Sequence, residues 1–413
     1  MSESEDVAST TSKSSSNSPP TKKVVEEKSK EEKDSRELKQ KEWMKQFLDE
    51  SKNKTIADYM GMFMAIRMRQ EQMRGDDEYS SNVALHPNQY IRNRYRDILP
   101  YDSNRVSISP NPCENAQGYI NASKVSLKDG LTNFIAAQAP LSSTLDDFWQ
   151  MIDEQGVHLI VMLCKLVEMN KAKCERYWPE VIGSTQVFGI YEISFESEER
   201  FDDDEYVLRK LKMKKEGTKE ERIIHQLHYS EWPDHGCPMG TIQLLNMIDK
   251  MSELSIDNNQ VLVHCSAGVG RTGTIILINH IRELIQQNLF SDINLVGLVM
   301  NLREQRSSMV QTQDQFQFVY RCVGSYCRKY LGLPCDESNT LPPPPAYVTS
   351  MLGNHHKMNI SLESKVKQTN ETDNNDNSDS DCDKNGVDNG TNIPDYPDEP
   401  RAPNGPEDIN SST

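Results

Sequence analysis

Short apolar runs and helical periods alternate through the middle of this 413-residue chain, and both of its ends lack either pattern. VHLIVML (Val157–Leu163) and VLVH (Val261–His264) are apolar over a strand's length, as strands buried on both faces are. VFGIYEISF (Val187–Phe195) and YVLRKLKMK (Tyr206–Lys214) predict exposed antiparallel strands. SSTLDDFWQMIDEQG predicts a helix with Ser143 as N-cap and Asp146 three residues on. TGTIILINHIRELIQQN and TQDQFQFVYRCVGSYCRKYLG carry apolar residues at helical spacing. Nearer the start, Val25–Lys41 sets opposite charges four apart, as in Glu26 and Lys30, which fits a solvated helix or a charged linker. Trp43, Met44, Phe47 and Leu48, then Met60, Phe63 and Met64, follow in helical pairs that read as core or packing surface. Together these elements predict an α/β domain around a mixed, strongly twisted central sheet flanked by helices.

The ends set the boundaries. Residues 1–41 form an N-terminal extension, disordered to about Val24 and charged beyond it, 42–332 the folded domain, and 333–413 a disordered acidic tail that opens with the proline-rich LPPPPAYVTS. A hydrophobic share of 36% fits a chain that folds only in part. No apolar run approaches the roughly 18 residues that span a bilayer, and MSESEDVASTTSKSSSNSPP has no apolar signal core. The expectation is a cytoplasmic protein. Its nine cysteines form no CxxC pair, which suits reduced thiols better than a disulfide framework or a zinc site. The net charge is −17, with about −10 of it after Cys335, and gives no basic footprint for nucleic acid.

One stretch carries chemistry: QVLVHCSAGVGRTG, Gln260–Gly273. The strand signal ends at Cys265, five residues follow with Gly268 and Gly270 among them and nothing bulkier than Val269, and then come Arg271 and a helix. Such a loop between a strand and a helix can turn its amide groups inward as a phosphate-binding nest, reinforced by the helix N-terminus. A thiol there sits where negative charge is favoured and can act as a nucleophile. Arg271 adds a planar fork for two phosphate oxygens. A nucleotide P-loop is excluded, because no lysine stands in its motif position.

VHCSAGVGRTG resembles the signature loop of the tyrosine-specific protein phosphatases, of the cysteine-dependent non-receptor type. Further blocks match that family in order: NRYRDILPYD, YINAS, FIAAQAPL, DFWQMI, CERYWP, HYSEWPDHG and QTQDQF. The resemblance implies a hydrolase for phosphotyrosine in proteins that works through a cysteinyl-phosphate and takes part in signal transduction, with no metal or cofactor. It makes Cys265 the nucleophile and Asp234 the general acid and then base, with Arg271 binding phosphate. Thr272 assists the departing thiolate, and Gln311 and Gln315, four apart on one face of a helical turn, position water. Tyr95 and Asp97 bind the substrate together with Ser266, Ala267, Gly268, Val269, Gly270, Arg271 and Gln311. His264, Glu168 and Lys173 support these groups. Ala139 departs from the family's usual glycine and His235 from its usual phenylalanine, and neither removes a reacting group. The alternative, a phosphotyrosine-binding adaptor on an inactive phosphatase fold, requires a damaged Asp234 or Cys265, and both are in place. In the tail, Pro344-Pro345-Ala346-Tyr347 fits a ligand for a WW domain.

Overall fold

The computed structural model describes residues 22–113, 115–201, 205–233, 236–255, 260–291 and 293–334; Asp234, His235 and the tail with Pro344–Tyr347 lie outside them. The two apolar runs become neighbouring strands, β4 (Leu159–Met162) and β11 (Gln260–His264), in which only Gln260 is not fully buried. They lie parallel between two further strands, β3 (Asn133–Ala137) and β10 (Glu221–Tyr229). Strands β1 (Arg105–Ser107) and β2 (Tyr119–Val125) extend the sheet antiparallel on one side. On the other side β9 (Tyr206–Lys215), β8 (Tyr191–Phe201) and β7 (Thr185–Phe188) do the same. Short strands Val167–Glu168 (β5) and Lys171–Ala172 (β6) form a separate hairpin. The order across the described sheet is β1-β2-β3-β11-β4-β10-β9-β8-β7.

Alternate residues of the central strands serve opposite faces, as the pleat requires. Leu159, Val161, Val261 and Val263 enter one apolar cluster, and Ile160, Met162 and Leu262 enter the other. The first face is covered by α4 (Ile242–Leu254), α5 (Gly270–Gln286), α6 (Leu295–Gln305) and α7 (Gln313–Leu331). Helix α3 (Leu145–Glu154) covers the second with Phe148, Trp149, Met151 and Ile152. The mixed sheet flanked by helices is therefore the architecture the hydrophobic pattern predicts.

Four local readings need correction. VFGIYEISF is a hairpin rather than one strand, because Gly189, at φ +57°, turns the chain between β7 and β8. Ser143 does not cap α3: Ser142–Thr144 is a 3-10 turn, Thr144 precedes the helix, and Ser143 Oγ instead donates to the Ile91 carbonyl at 3.4 Å. The charged and apolar stretches near the start form one helix, α1 (Lys22–Asn53), in which Gln40 is already buried. Its side chain donates to the Ile285 carbonyl at 2.9 Å and accepts from Phe290 N–H at 3.0 Å. Helix α2 (Ile56–Gln72) starts from a capping box of Thr55 and Asp58; it buries Phe63 and Ile66 but leaves Met60 and Met64 exposed. Among the described residues, no helix is long and apolar enough to cross a membrane.

Ile66 is fully buried in the cluster under α5–α7, so α2 is tied to the main core. Ile66→Ala is expected to cost about 2–5 kcal/mol in urea unfolding, in a single transition. A change below about 0.5 kcal/mol would show that α2 is docked and not part of that core.

Candidate active site

β11 delivers His264 to the carboxyl edge of the sheet, between Ala137 and Met162, and the chain then wraps through residues 265–269 into α5. Every carbonyl of that loop is engaged. His264 Nδ1 meets the Cys265 carbonyl at 3.2 Å, and Ala139 N–H donates to Ser266 at 3.0 Å. Arg306 donates from Nη2 to Ala267 at 3.1 Å and from Nε to Gly268 at 2.9 Å. Val269 accepts from the N–H groups of Gly273 and Val310. With the carbonyls taken up, the amides are the loop's polar groups left for a ligand. One of them, Gly268 N–H, donates to Cys265 Sγ at 3.3 Å. Gly268 stands at φ +72°, and a Cβ there would collide with the Ala137 carbonyl, so no other residue fits this turn.

Two arginines flank the loop with different tasks. Arg271 is paired fork to fork with Glu168, Nη1–Oε1 at 2.6 Å and Nη2–Oε2 at 3.1 Å, and Nη1 also donates to the Leu163 carbonyl at 2.9 Å. Burial opposes its charge, but Glu168, with Cys265 nearby, more than offsets that and raises the guanidinium pKa. Arg306 is completely buried and also donates to Ser123 and Asn121. Burial pushes it down to about 10, which still leaves it charged at neutral pH. The sequence reading missed Arg306, since a lone arginine after a helix carries no periodic signal.

His264 is neutral, because burial lowers its pKa to about 4. A carbonyl can only accept, so Nδ1 carries the proton toward Cys265. Nε2 is then an acceptor, and the Tyr177 hydroxyl donates to it at 2.9 Å. Gln226 Nε2 donates in turn to that hydroxyl at 2.6 Å. A buried chain Gln226–Tyr177–His264 thus ends on the Cys265 backbone. Tyr177 lies within the quoted CERYWP block, but only the fold brings it to His264.

The other expected residues fall around the loop. Ser266 Oγ donates to the Lys173 carbonyl at 3.1 Å, so the Tyr95 hydroxyl, 2.8 Å away, donates to Ser266. Asp97 is exposed beside the half-buried Tyr95. Thr272 is fully buried and its hydroxyl has no hydrogen-bond partner among the described residues. Gln311 and Gln315 do not share a helical turn: α7 begins at Gln313 behind the cap Thr312, and the Gln311 N–H instead donates to Gln315 Oε1 at 2.8 Å. A capping box at Thr312 ends the helix short of Gln311. Asp234 lies outside the described residues, but its flanks reach the site. Arg271 Nη2 donates to the Pro233 carbonyl at 3.4 Å, and Trp232 Nε1 donates to Gly236 at 3.2 Å. The arrangement can bind an oxyanion against a buried thiol at a helix start.

A family model described as protein-tyrosine phosphatase matches residues 89–325. Receptor-type tyrosine-protein phosphatase eta of Gallus gallus is 40% identical over 235 residues, 56% of this chain and 16% of that protein. The crystal structure of the catalytic domain of human protein tyrosine phosphatase non-receptor type 18 is 34% identical, with a TM-score of 0.62 over 66% of this chain and 96% of that one. A structure of PTPN18 in complex with HER2-pY1196 phosphopeptides is 32% identical, with a TM-score of 0.64 over 69% of this chain and 99% of that one. The chain spans less than two thirds of the length of the curated relatives it matches.

The buried histidines make stability depend on acid. His264 titrates near 4 and His228, also lowered mainly by burial, near 3, whereas an unfolded histidine titrates near 6.5. Below about pH 6.5 the unfolded chain takes up protons that the folded one refuses, so stability falls with falling pH. The expected slope is up to about 1.4 kcal/mol per pH unit for each histidine. Urea midpoints at pH 7.5, 6.5 and 5.5 measure it, and His264→Asn, which cannot titrate, should flatten the slope. An unchanged slope in that variant would mean that His264 is protonated in the fold.

Proposed function

Because the chain belongs to the protein-tyrosine phosphatase family, we propose that it hydrolyses phosphotyrosine in proteins through a cysteinyl-phosphate on Cys265. The strongest support is Cys265 Sγ set against the Gly268 N–H at the start of α5, with Arg271 alongside. Amide groups and a helix end favour negative charge there, first on the thiolate and then on the phosphate oxygens. Arg271 Nε–H makes no hydrogen bond among the described residues, and the Nη2 bond to Pro233 is long at 3.4 Å. That edge can take two phosphate oxygens while Nη1 stays on Leu163 and Glu168.

As the S–P bond forms, the bond from phosphorus to the tyrosine oxygen breaks, and Asp234 gives that oxygen its proton. Water held by Gln311 and Gln315 then attacks phosphorus, its proton passes to Asp234, and the thiolate departs. Gln315 Oε1 is occupied by the Gln311 and Thr312 amides, so its Nε2 faces the water. The Thr272 hydroxyl, without a partner among the described residues, donates a hydrogen bond to the departing thiolate. Glu168 holds Arg271, Lys173 supports the Asp234 segment, and His264 acts on Cys265 through its carbonyl.

Tyr95 forms the wall that makes the cleft deep enough for a phosphotyrosine ring, Asp97 holds the peptide backbone, and residues 266–270 bind the phosphate. The peptide-bound PTPN18 structure supports a phosphopeptide substrate of this kind. Residues 42–332 are then the catalytic domain of a cytoplasmic enzyme. The Pro344–Tyr347 segment, outside the described residues, suits a WW-domain partner.

Phosphotyrosine and phosphothreonine versions of one peptide test this reading. Turnover should be confined to phosphotyrosine and absent in Cys265→Ser, and Asp234→Ala should lower kcat by about 10²–10⁴-fold with no rise in KM. Turnover surviving in Cys265→Ser, or equal rates on the two peptides, would overturn it.

A further inference from the structure

Next to His264, with Cys164 near enough to Cys265 for their charges to interact, the fold gathers two thiols that the phosphatase chemistry does not use. Cys164 follows β4 and Cys174 follows β6, and both are buried. Their sulfurs and a His264 ring nitrogen all lie within 4.8 Å of one another, the one such group of potential metal ligands among the described residues. From this geometry we propose that Cys164, Cys174 and His264 bind a zinc ion that slows the enzyme from beside its active site.

The donor set fits. Zinc bonds of about 2.3 Å to sulfur and 2.0–2.1 Å to nitrogen place tetrahedral S–S and S–N pairs roughly 3.6–3.8 Å apart, so from the 4.8 Å bound each pair closes by at most about 1.2 Å. His264 is preset as a ligand: its Nδ1 is committed to the Cys265 carbonyl, and Nε2 is the ring nitrogen left facing Tyr177. An imidazole whose other N–H is held by a carbonyl is the usual form of a metal-binding histidine. The Tyr177 hydroxyl, 2.9 Å from Nε2, offers an oxygen for the fourth position. As each S–Zn bond forms, its thiol releases a proton to solvent, so the two thiolates neutralise the divalent ion. A monovalent ion would leave a net negative charge in this buried place, which is costly. Charge balance therefore favours zinc over cuprous copper.

Binding would take Nε2 away from Tyr177 while His264 stays tied to Cys265, so the ion acts on the base of the loop and leaves the cleft open. Only this effect on turnover rests on the reading of Cys265 as nucleophile; the binding itself does not.

The test uses the full chain, reduced and stripped of metal, titrated with Co²⁺ as the spectroscopic probe and then with competing Zn²⁺. The wild type and Cys265→Ser should each bind one equivalent and show a thiolate-to-cobalt charge-transfer band. Cys164→Ser and Cys164→Ala should lose most of that band and bind zinc more weakly by more than the 10–100-fold typical of losing an outer-shell partner. Both variants should keep metal-free turnover of a phosphotyrosine peptide, which shows that they fold, while inhibition by zinc disappears. A band unchanged without Cys164, or lost with Cys265→Ser, would overturn the proposal, the second by moving the ion to the reaction cysteine. Absence of turnover in the metal-free wild type would instead count against the phosphatase reading and leave the binding result intact.

Discussion

A loop can offer its amides to an anion only if something else takes its carbonyls, and in this protein that requirement organises the residues around the site. Five consecutive carbonyls, 265 to 269, find donors on five different parts of the fold: β11, the segment after β3, the residue after α6, α5 itself, and the turn before α7. Buried carbonyls left without donors would each cost on the order of 1–3 kcal/mol. The loop's shape is therefore a property of the whole domain, and it exists before any ligand arrives. This is preorganisation in the sense that matters for catalysis, since donors already aimed need no rearrangement when charge develops.

The sequence made one half of that arrangement legible. Cys265, Gly268, Gly270 and Arg271 sit within seven positions, and their spacing alone describes a strand, a tight loop and a helix. The central strands were equally plain, because strands buried on both faces must be apolar throughout. The supporting half was not legible. Arg306 is 38 residues from Gly268, Tyr177 is 87 from His264, and nothing local marks either as a partner. The misreadings share a cause: VFGIYEISF keeps its alternation through a two-residue turn, and Gln311–Gln315 keeps a helical spacing across a helix boundary. Periodicity cannot register a break that preserves the period.

Cysteine spacing shows the same limit. Cys164 and Cys174 are ten apart, with no motif between them, and His264 is ninety residues further on. Parallel pairing of β11 with β4 makes Met162 and His264 register partners, so Cys164, two residues further on, comes close to the His264 ring. The short β5–β6 hairpin then folds Cys174 back toward them. Ligand clusters built by sheet register are invisible to a search for CxxC, which detects only those built by one turn.

The two arginines show how one side chain can serve opposite ends. Arg306 directs four hydrogen bonds into protein and is fully buried, so it is a brace. Arg271 is held on one edge by Glu168 and Leu163, and among the described residues its other edge keeps only the long bond to Pro233. That carbonyl belongs to the residue before Asp234, and the Trp232 ring lies 5.9 Å from the same guanidinium. A dianion arriving at Arg271 competes for the donor that Pro233 holds, and a charge-assisted bond outweighs a long one to a neutral carbonyl. An oxyanion at Arg271 and the Pro233 carbonyl therefore compete for a single Nη2 donor, which ties anion binding to the placement of Trp232 and Pro233.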